Sequence, residues 1–316
     1  MRALFSAVVA AGAVAFGSFA QAQVDQSLPK YTPAGAVSGT IKSIGSDTMN
    51  NLMTLWAEEF KKSYPNTKVE VEGKGSSTAP PALTEGQSQF GPMSRPMKAA
   101  EKDKFEAKYG YKPTELRTGI DALAIYVHKD CPLDEISIDQ AAKVFSVSGP
   151  EMTWDQLGVT DARFRGKPVS LYGRNSASGT YGYFKEHALK GADYKATVKE
   201  QPGSSAVVQA VATDVFGMGY SGLGYKTSDV KALKVAAKDG EPAYEANAEN
   251  ALSAEYPIAR FLYVYINYDA RTGLDPLRRE FVKLVFSRQG QEAVVKDGYI
   301  PVSAEIARED LKKVGL

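Results

Sequence analysis

Past residue 38 the apolar positions follow two periods that take turns along the chain. Short runs at Gly39–Ser43, Val69–Glu72, Ala122–His128, Pro168–Tyr172 and Phe261–Asn267 read as strands, while Met49–Ser63 and Ser178–Leu189 carry their apolar residues at helical spacing. This alternation predicts an α/β fold with mostly parallel sheets flanked by helices, and ligand positions at strand carboxyl ends. Two predicted strands, Asp121–His128 and Phe261–Asn267, are long and nearly free of breakers. If both cross between lobes, the first lobe comprises residues 38–118 and 263–316 and the second 119–262. Leu277, Phe281, Leu284 and Val285, again at helical spacing, then pack the C-terminal stretch back onto the first lobe. No internal repeat is visible.

The chain begins Met1-Arg2, continues with an apolar run from Ala3 to Phe19, and reaches Ala20-Gln21-Ala22. A basic start, a short apolar centre and an Ala-x-Ala ending describe a secretory signal peptide with cleavage after Ala22. Residues 23–37, polar and carrying Pro29, Pro33 and Gly35, are expected to form a flexible N-terminus. No later segment is long and apolar enough to span a bilayer, so no direct membrane insertion is expected after cleavage. Cleavage removes Arg2 from 38 basic residues and leaves the remainder balanced against 37 acidic ones. A balanced chain makes no electrostatic claim on nucleic acid. Cys131 is the only cysteine, so no internal disulfide is available.

What carries chemistry is an arrangement that recurs four times: a strand ends, a Gly and Ser/Thr cluster follows, and a helix begins. The clusters are Gly45-Ser46-Asp47-Thr48, Gly75-Ser76-Ser77-Thr78, Arg174 to Ser178-Gly179-Thr180, and Gly203-Ser204-Ser205 before the apolar helix 206–215. A helix start leaves backbone N–H groups without internal partners, and the helix dipole adds partial positive charge there. Each cluster alone is an ordinary N-cap. Several converging on one cleft would surround a small tetrahedral anion while needing only one cationic side chain. Arg174 is the natural cation, since its planar fork matches two oxygens of such an ion.

The pieces Ile44-Gly-Ser-Asp-Thr48, Gly75-Ser-Ser77, Phe90-Gly-Pro-Met-Ser-Arg95, Gly173-Arg174 to Thr180 and Gly217-Met-Gly-Tyr220, in this order, resemble the phosphate-binding subunits (PstS type) of bacterial ABC phosphate importers. The likeness spans essentially the whole chain after the leader. It implies a class II periplasmic binding protein whose two lobes close on dehydrated phosphate, with the two crossover strands as hinge. By motif, the ligand residues are Asp47, Thr48, Ser76, Ser77, Arg174, Ser178, Gly179 and Thr180, and Ser46, Ser94 and Asp121 complete the expected phosphate-binding set. Two positions depart from the family pattern. Ser94 stands where well-known members carry the Asp that accepts the phosphate proton, and Ser176 stands where they carry the Asp that pairs with the binding Arg. We expect Asp47 to take over as acceptor, its alternative being a plain N-cap of the following helix. Asp121 is expected either to orient Arg174 or simply to end a turn, and Arg95 to reach the anion or lie on the rim.

The reading is therefore a phosphate receptor that acts as a monomer, needs no cofactor or metal, and delivers its ligand to the permease subunits of an importer. His128 and His187 stand too far apart to suggest a metal site or a triad. With no Walker-type Gly-Lys-Ser/Thr, ATP hydrolysis falls to a partner. Two alternatives are weighed: a receptor for sulfate or molybdate on the same fold, and a secreted phosphatase, for which no metal cluster or activated nucleophile is apparent.

Overall fold

The computed structural model describes residues 23–316, and the expected signal peptide with its cleavage after Ala22 lies outside the described residues. The strands are β1 Gly39–Gly45, β2 Thr67–Gly73, β3 Phe90–Met93, β4 Thr114–Ala122, β5 Ala124–His128, β6 Glu135–Ser137, β7 Ser170–Arg174, β8 Lys199–Gln201, β9 Gly217–Ser221, β10 Val230–Ala232, β11 Lys234–Ala236, β12 Ala243–Tyr244 and β13 Ala259–Ile266. The helices are α1 Asn50–Ser63, α2 Ala79–Thr84, α3 Ala99–Tyr109, α4 Ile138–Phe145, α5 Gly179–His187, α6 Ser204–Thr213, α7 Ala248–Leu252, α8 Pro276–Val285, α9 Arg288–Lys296 and α10 Ala304–Lys312.

Two five-stranded sheets, ordered β2-β1-β3-β13-β4 and β10-β5-β9-β7-β8, form the centres of two lobes, with a small sheet β12-β11-β6 beside the second. Each large sheet is mixed rather than mostly parallel. In the first, β1 runs parallel to β2 and β3, but β13 is antiparallel to β3 and β4. In the second, β7 runs parallel to β8 and β9, but β5 is antiparallel to β9 and β10. The cause is the traffic between lobes. Strands built by βαβ crossovers share a direction, whereas a strand arriving from the other lobe enters from the opposite end.

Sheet membership puts the crossings at Leu123, between β4 and β5, and at Ile258, just before β13. The two meet, since Leu123 N–H donates to Ile258 O at 3.1 Å. The expected strand Asp121–His128 is thus divided at Leu123 between the two sheets.

Each lobe has its own apolar centre. In the first, α1 turns Leu52, Met53, Trp56 and Phe60 inward, a helical stripe that packs with Ile41 and with Phe281, Leu284 and Val285 of α8. The helix ends at Tyr64, immediately before Pro65, with Lys61 and Lys62 on its negative dipole end. In the second, Ile125, Val127, Leu171 and Met218 from the sheet pack with Phe145 and Phe184. The segment 23–37, expected to be flexible, lies docked on the first lobe. Leu28 is buried in that core, Tyr31 Oη donates to Glu280, and Asp25 accepts from Ala304 N–H at 2.9 Å.

The turn after α9 carries Asp297 against the second lobe, where a Cβ on Gly224 would come within 2.3 Å of the Asp297 carbonyl. Burial, with the Asp121 charge adding to it, pushes the Asp297 carboxyl up to about 7, and its Oδ2 has no hydrogen-bond partner among the described residues. A carboxyl whose folded pKa exceeds its unfolded value costs stability progressively as pH rises from the unfolded value towards the folded one. Asp297→Asn should therefore raise the melting temperature more at pH 8 than at pH 5, by a difference worth ~1–2 kcal/mol after solvent screening. An equal gain at both pH values would show that the carboxyl is not held neutral by its surroundings.

Candidate functional site

The loops that leave the carboxyl ends of β1, β2, β3 and β7 face one another between the lobes. Within the first lobe, Ser46 Oγ donates to Ser94 Oγ at 3.1 Å, Ser76 Oγ lies 3.3 Å from Ser94 Oγ, and Ser94 N–H donates to Ser76 Oγ at 3.0 Å. Across the cleft, Thr48 Oγ1 and Thr180 Oγ1 share a hydrogen bond of 2.9 Å, and Ser77 N–H donates to Ala177 O at 3.1 Å. The clusters around residues 47, 76 and 178 thus share one space, with Ser46, Thr48, Ser76, Ser94, Ser178 and Thr180 all buried.

Two glycines permit this approach. A Cβ on Gly179 would stand 2.3 Å from Ser76 Oγ and 2.7 Å from Ser94 Oγ. Gly75, at φ +117°, lies against the Ala177 carbonyl, which a Cβ would meet at 2.5 Å. At the start of α5, Ser178 Oγ accepts from the N–H groups of Thr180 and Tyr181 at 3.1 and 3.3 Å. Polar groups at such spacing can rearrange around an anion, because hydroxyls donate as readily as they accept.

Arg174 ends β7 and is 1% exposed. Its Nη1 donates to Ser204 Oγ at 2.7 Å, and Nη2 lies 3.3 Å from Asp47 Oδ2. The guanidinium Nε is buried without a partner among the described residues. Burial pulls the Arg174 pKa below the ordinary arginine value and the Asp47 charge opposes that pull, so the group keeps its proton at any physiological pH.

Asp47 does not cap its own helix. It reaches across the cleft, and its Oδ2 accepts from Ser204 N–H at 2.8 Å at the start of α6. Tyr225 Oη fixes the Asp47 main chain by donating to its carbonyl at 2.9 Å. Asp47 thereby stands beside Arg174, while Ser176, at the position where family members carry the arginine's Asp partner, is exposed.

Asp121 neither orients Arg174 nor ends a turn. It is fully buried at the end of β4, and its Oδ2 accepts from Arg260 Nε and Nη2 at 3.2 and 2.8 Å. Its Oδ1 takes the Leu223 N–H at 2.9 Å, so the carboxylate is committed to other partners. Arg95 lies on the rim, paired with Glu101 at 2.7 and 2.8 Å, and with Ser77, Ser178 and Tyr181 it lines a cleft of about 620 Å³ outside the hydroxyl cluster.

Sequence reasoning missed Arg260, and it left Ser204 out of the site although its cluster was recognised. An arginine opening the otherwise apolar run Ala259–Ile266 was the available signal, because a buried guanidinium requires a partner.

Comparison with known proteins is consistent across sequence and fold. A profile described as a PBP superfamily domain matches residues 31–289. The phosphate-binding protein PstS of Pseudomonas aeruginosa is 50% identical, covering 100% of this chain and 99% of its own. PstS of Bacillus subtilis is 31% identical, covering 84% of this chain and 82% of its own. A substrate-binding protein from Clostridium perfringens, solved with bound phosphate, superposes with a TM-score of 0.71 at 26% identity, over 84% of this chain and 100% of that one. With its paired mixed sheets, its cleft of converging helix starts and this full-length identity, the chain belongs to the PBP superfamily and, within it, to the PstS family of phosphate-binding proteins.

Proposed function

We propose that the protein binds inorganic phosphate between its lobes and delivers it to the permease subunits of an ABC importer, as a binding protein and not an enzyme. The observation that carries this reading is the convergence of Ser46, Thr48, Ser76, Ser94, Ser178 and Thr180 from both lobes beside a buried Arg174. The ligand set is Ser46, Asp47, Thr48, Ser76, Ser77, Ser94, Arg174, Ser178, Gly179 and Thr180, with the orphaned Nε of Arg174 adding a further donor. About ten good bonds to a charged ligand suffice for micromolar affinity, about 8 kcal/mol, after desolvation. Phosphate would recruit one lobe to the other by bending at Leu123 and Ile258, between a first lobe of 38–122 with 259–316 and a second of 123–258, which moves the boundaries expected from sequence, 118/119 and 262/263, to the ends of β4 and β13. Export as a monomer to the periplasm, after cleavage at Ala22, fits this role.

Asp47 supplies the selectivity. Its Oδ2 is engaged with Ser204 and Arg174, which leaves Oδ1 to accept the proton of hydrogen phosphate. Sulfate, fully deprotonated, would meet that carboxylate as an unpaired like charge. Calorimetry is expected to show tight phosphate binding and little sulfate binding by the wild type, and a loss of that preference of at least ~10-fold in Asp47→Asn. Equal affinity of the unaltered protein for the two anions would remove the carboxylate from the selectivity mechanism.

A further inference from the structure

We propose that Arg260 is a closure latch: a positioning residue, outside the ligand set, that makes bonds available only when the lobes are together and thereby slows phosphate release. The proposal rests on the phosphate-receptor reading of the same cleft.

Arg260 sits where the chain re-enters the first lobe, and its side chain is 2% exposed. Its Nε and Nη2 grip Asp121 on the neighbouring strand at 3.2 and 2.8 Å, which fixes the guanidinium to the sheet of the first lobe. Its remaining donors look in two directions. Nη1 donates to Ser94 O of the first lobe at 2.8 Å, and Nη2 donates to Thr180 Oγ1 of the second at 2.8 Å. The face of Tyr183, one turn further along α5, lies 5.2 Å from the guanidinium carbon. Tyr183 Oη in turn donates to Ala259 O at 2.6 Å.

These partners differ in what they do when the cleft opens. The Asp121 pair joins adjacent strands of one sheet and survives. The Thr180 bond and the Tyr183 contact join that sheet to α5 of the other lobe, so separation breaks them. Thr180 is also the residue whose hydroxyl meets Thr48 across the cleft. A charge-assisted bond and a cation–π contact made in one conformation alone shift the open–closed equilibrium towards it. Because the guanidinium and its partners are buried, salt screens the effect only weakly. A plain structural staple would not need to reach a second lobe.

The test uses the full mature chain with two variants: Arg260→Lys, which keeps charge but loses the fork, and Arg260→Gln combined with Asp121→Asn, which leaves no unpaired buried charge. Stopped-flow binding of inorganic phosphate should show dissociation accelerated ~10–100-fold in both, with association changed less than about threefold. Spin labels on the two lobes should report a smaller closed fraction in the variants without phosphate, a readout that stands even if phosphate proves not to be the ligand. Failure of the wild type to bind phosphate would sink the receptor reading and leave the latch to that distance measurement. Unchanged dissociation and an unchanged closed fraction in folded variants would overturn the latch. So would loss of folding in both variants, which would assign the pair to the fold alone.

Discussion

Arg174→Ala is expected to lower phosphate affinity by about 1,000-fold while the protein stays folded. The guanidinium is buried at the end of β7, bound to Ser204 Oγ and set beside Asp47. Truncating one partner of a desolvated charge pair at a binding interface typically costs about 2–5 kcal/mol of binding free energy, much of it from the charge left unpaired. Each 1.4 kcal/mol is a tenfold change in affinity, so the loss spans roughly one and a half to three and a half decades. The damage goes beyond a missing ligand bond. Asp47 would face the incoming anion as a like charge with no cation between them. Arg174→Lys should fall between the two, since an ammonium restores charge but cannot hold Ser204 and two phosphate oxygens in one plane. Calorimetry on the three proteins, with circular dichroism to confirm folding, decides the matter. A loss of tenfold or less in Arg174→Ala would mean that main-chain amides and hydroxyls hold the anion without it.

Gly179→Ala is expected to abolish tight binding by a different route. The new methyl would stand 2.3 Å from Ser76 Oγ and 2.7 Å from Ser94 Oγ, closer than real side chains approach. Gly179 opens a helix, so its backbone accepts alanine without strain, and the second lobe should fold normally. The collision occurs only when the lobes meet. A single methyl group would then hold the cleft ajar and separate Thr48 from Thr180. Small-angle scattering should show a protein that stays extended in millimolar phosphate, and calorimetry a loss of at least ~100-fold in affinity. Compaction of the variant on adding phosphate, with near wild-type affinity, would show that Ser76 and Ser94 move aside and that the close packing is incidental.

The local parts of the site were readable from the chain because helix starts are written locally. A glycine, a hydroxyl and the beginning of a helical period are neighbours in sequence, and the turns at residues 46–48, 76–78 and 178–180 form where those signals stand. Convergence itself was inferred from the family likeness, not from any single cluster. The misreadings concern partners far apart in sequence. For Asp47, expected as the acceptor of the phosphate proton with a plain N-cap as its alternative, no local signal marked its partner at the start of α6, 157 positions away. Asp121 finds Arg260, 139 positions on, because β4 and β13 pair in the sheet. Strand direction escaped for the same reason: apolar period marks a strand but carries no record of its neighbour. Leu28 and Tyr31 stand as isolated apolar residues in a polar stretch, and only the first lobe's surface reveals why they are there.

The two passages between the lobes lie side by side, joined through Leu123 and Ile258. Adjacent paired strands resist sliding, since a slip of one residue would turn every side chain to the wrong face. What they allow is a bend about a line across both, like the spine of a book. Closing about that line would bring Ser76 opposite Gly179 each time. Such a track would sort ions before any of them is gripped, because a body larger than the space left at the end of the path would stall the covers short of contact.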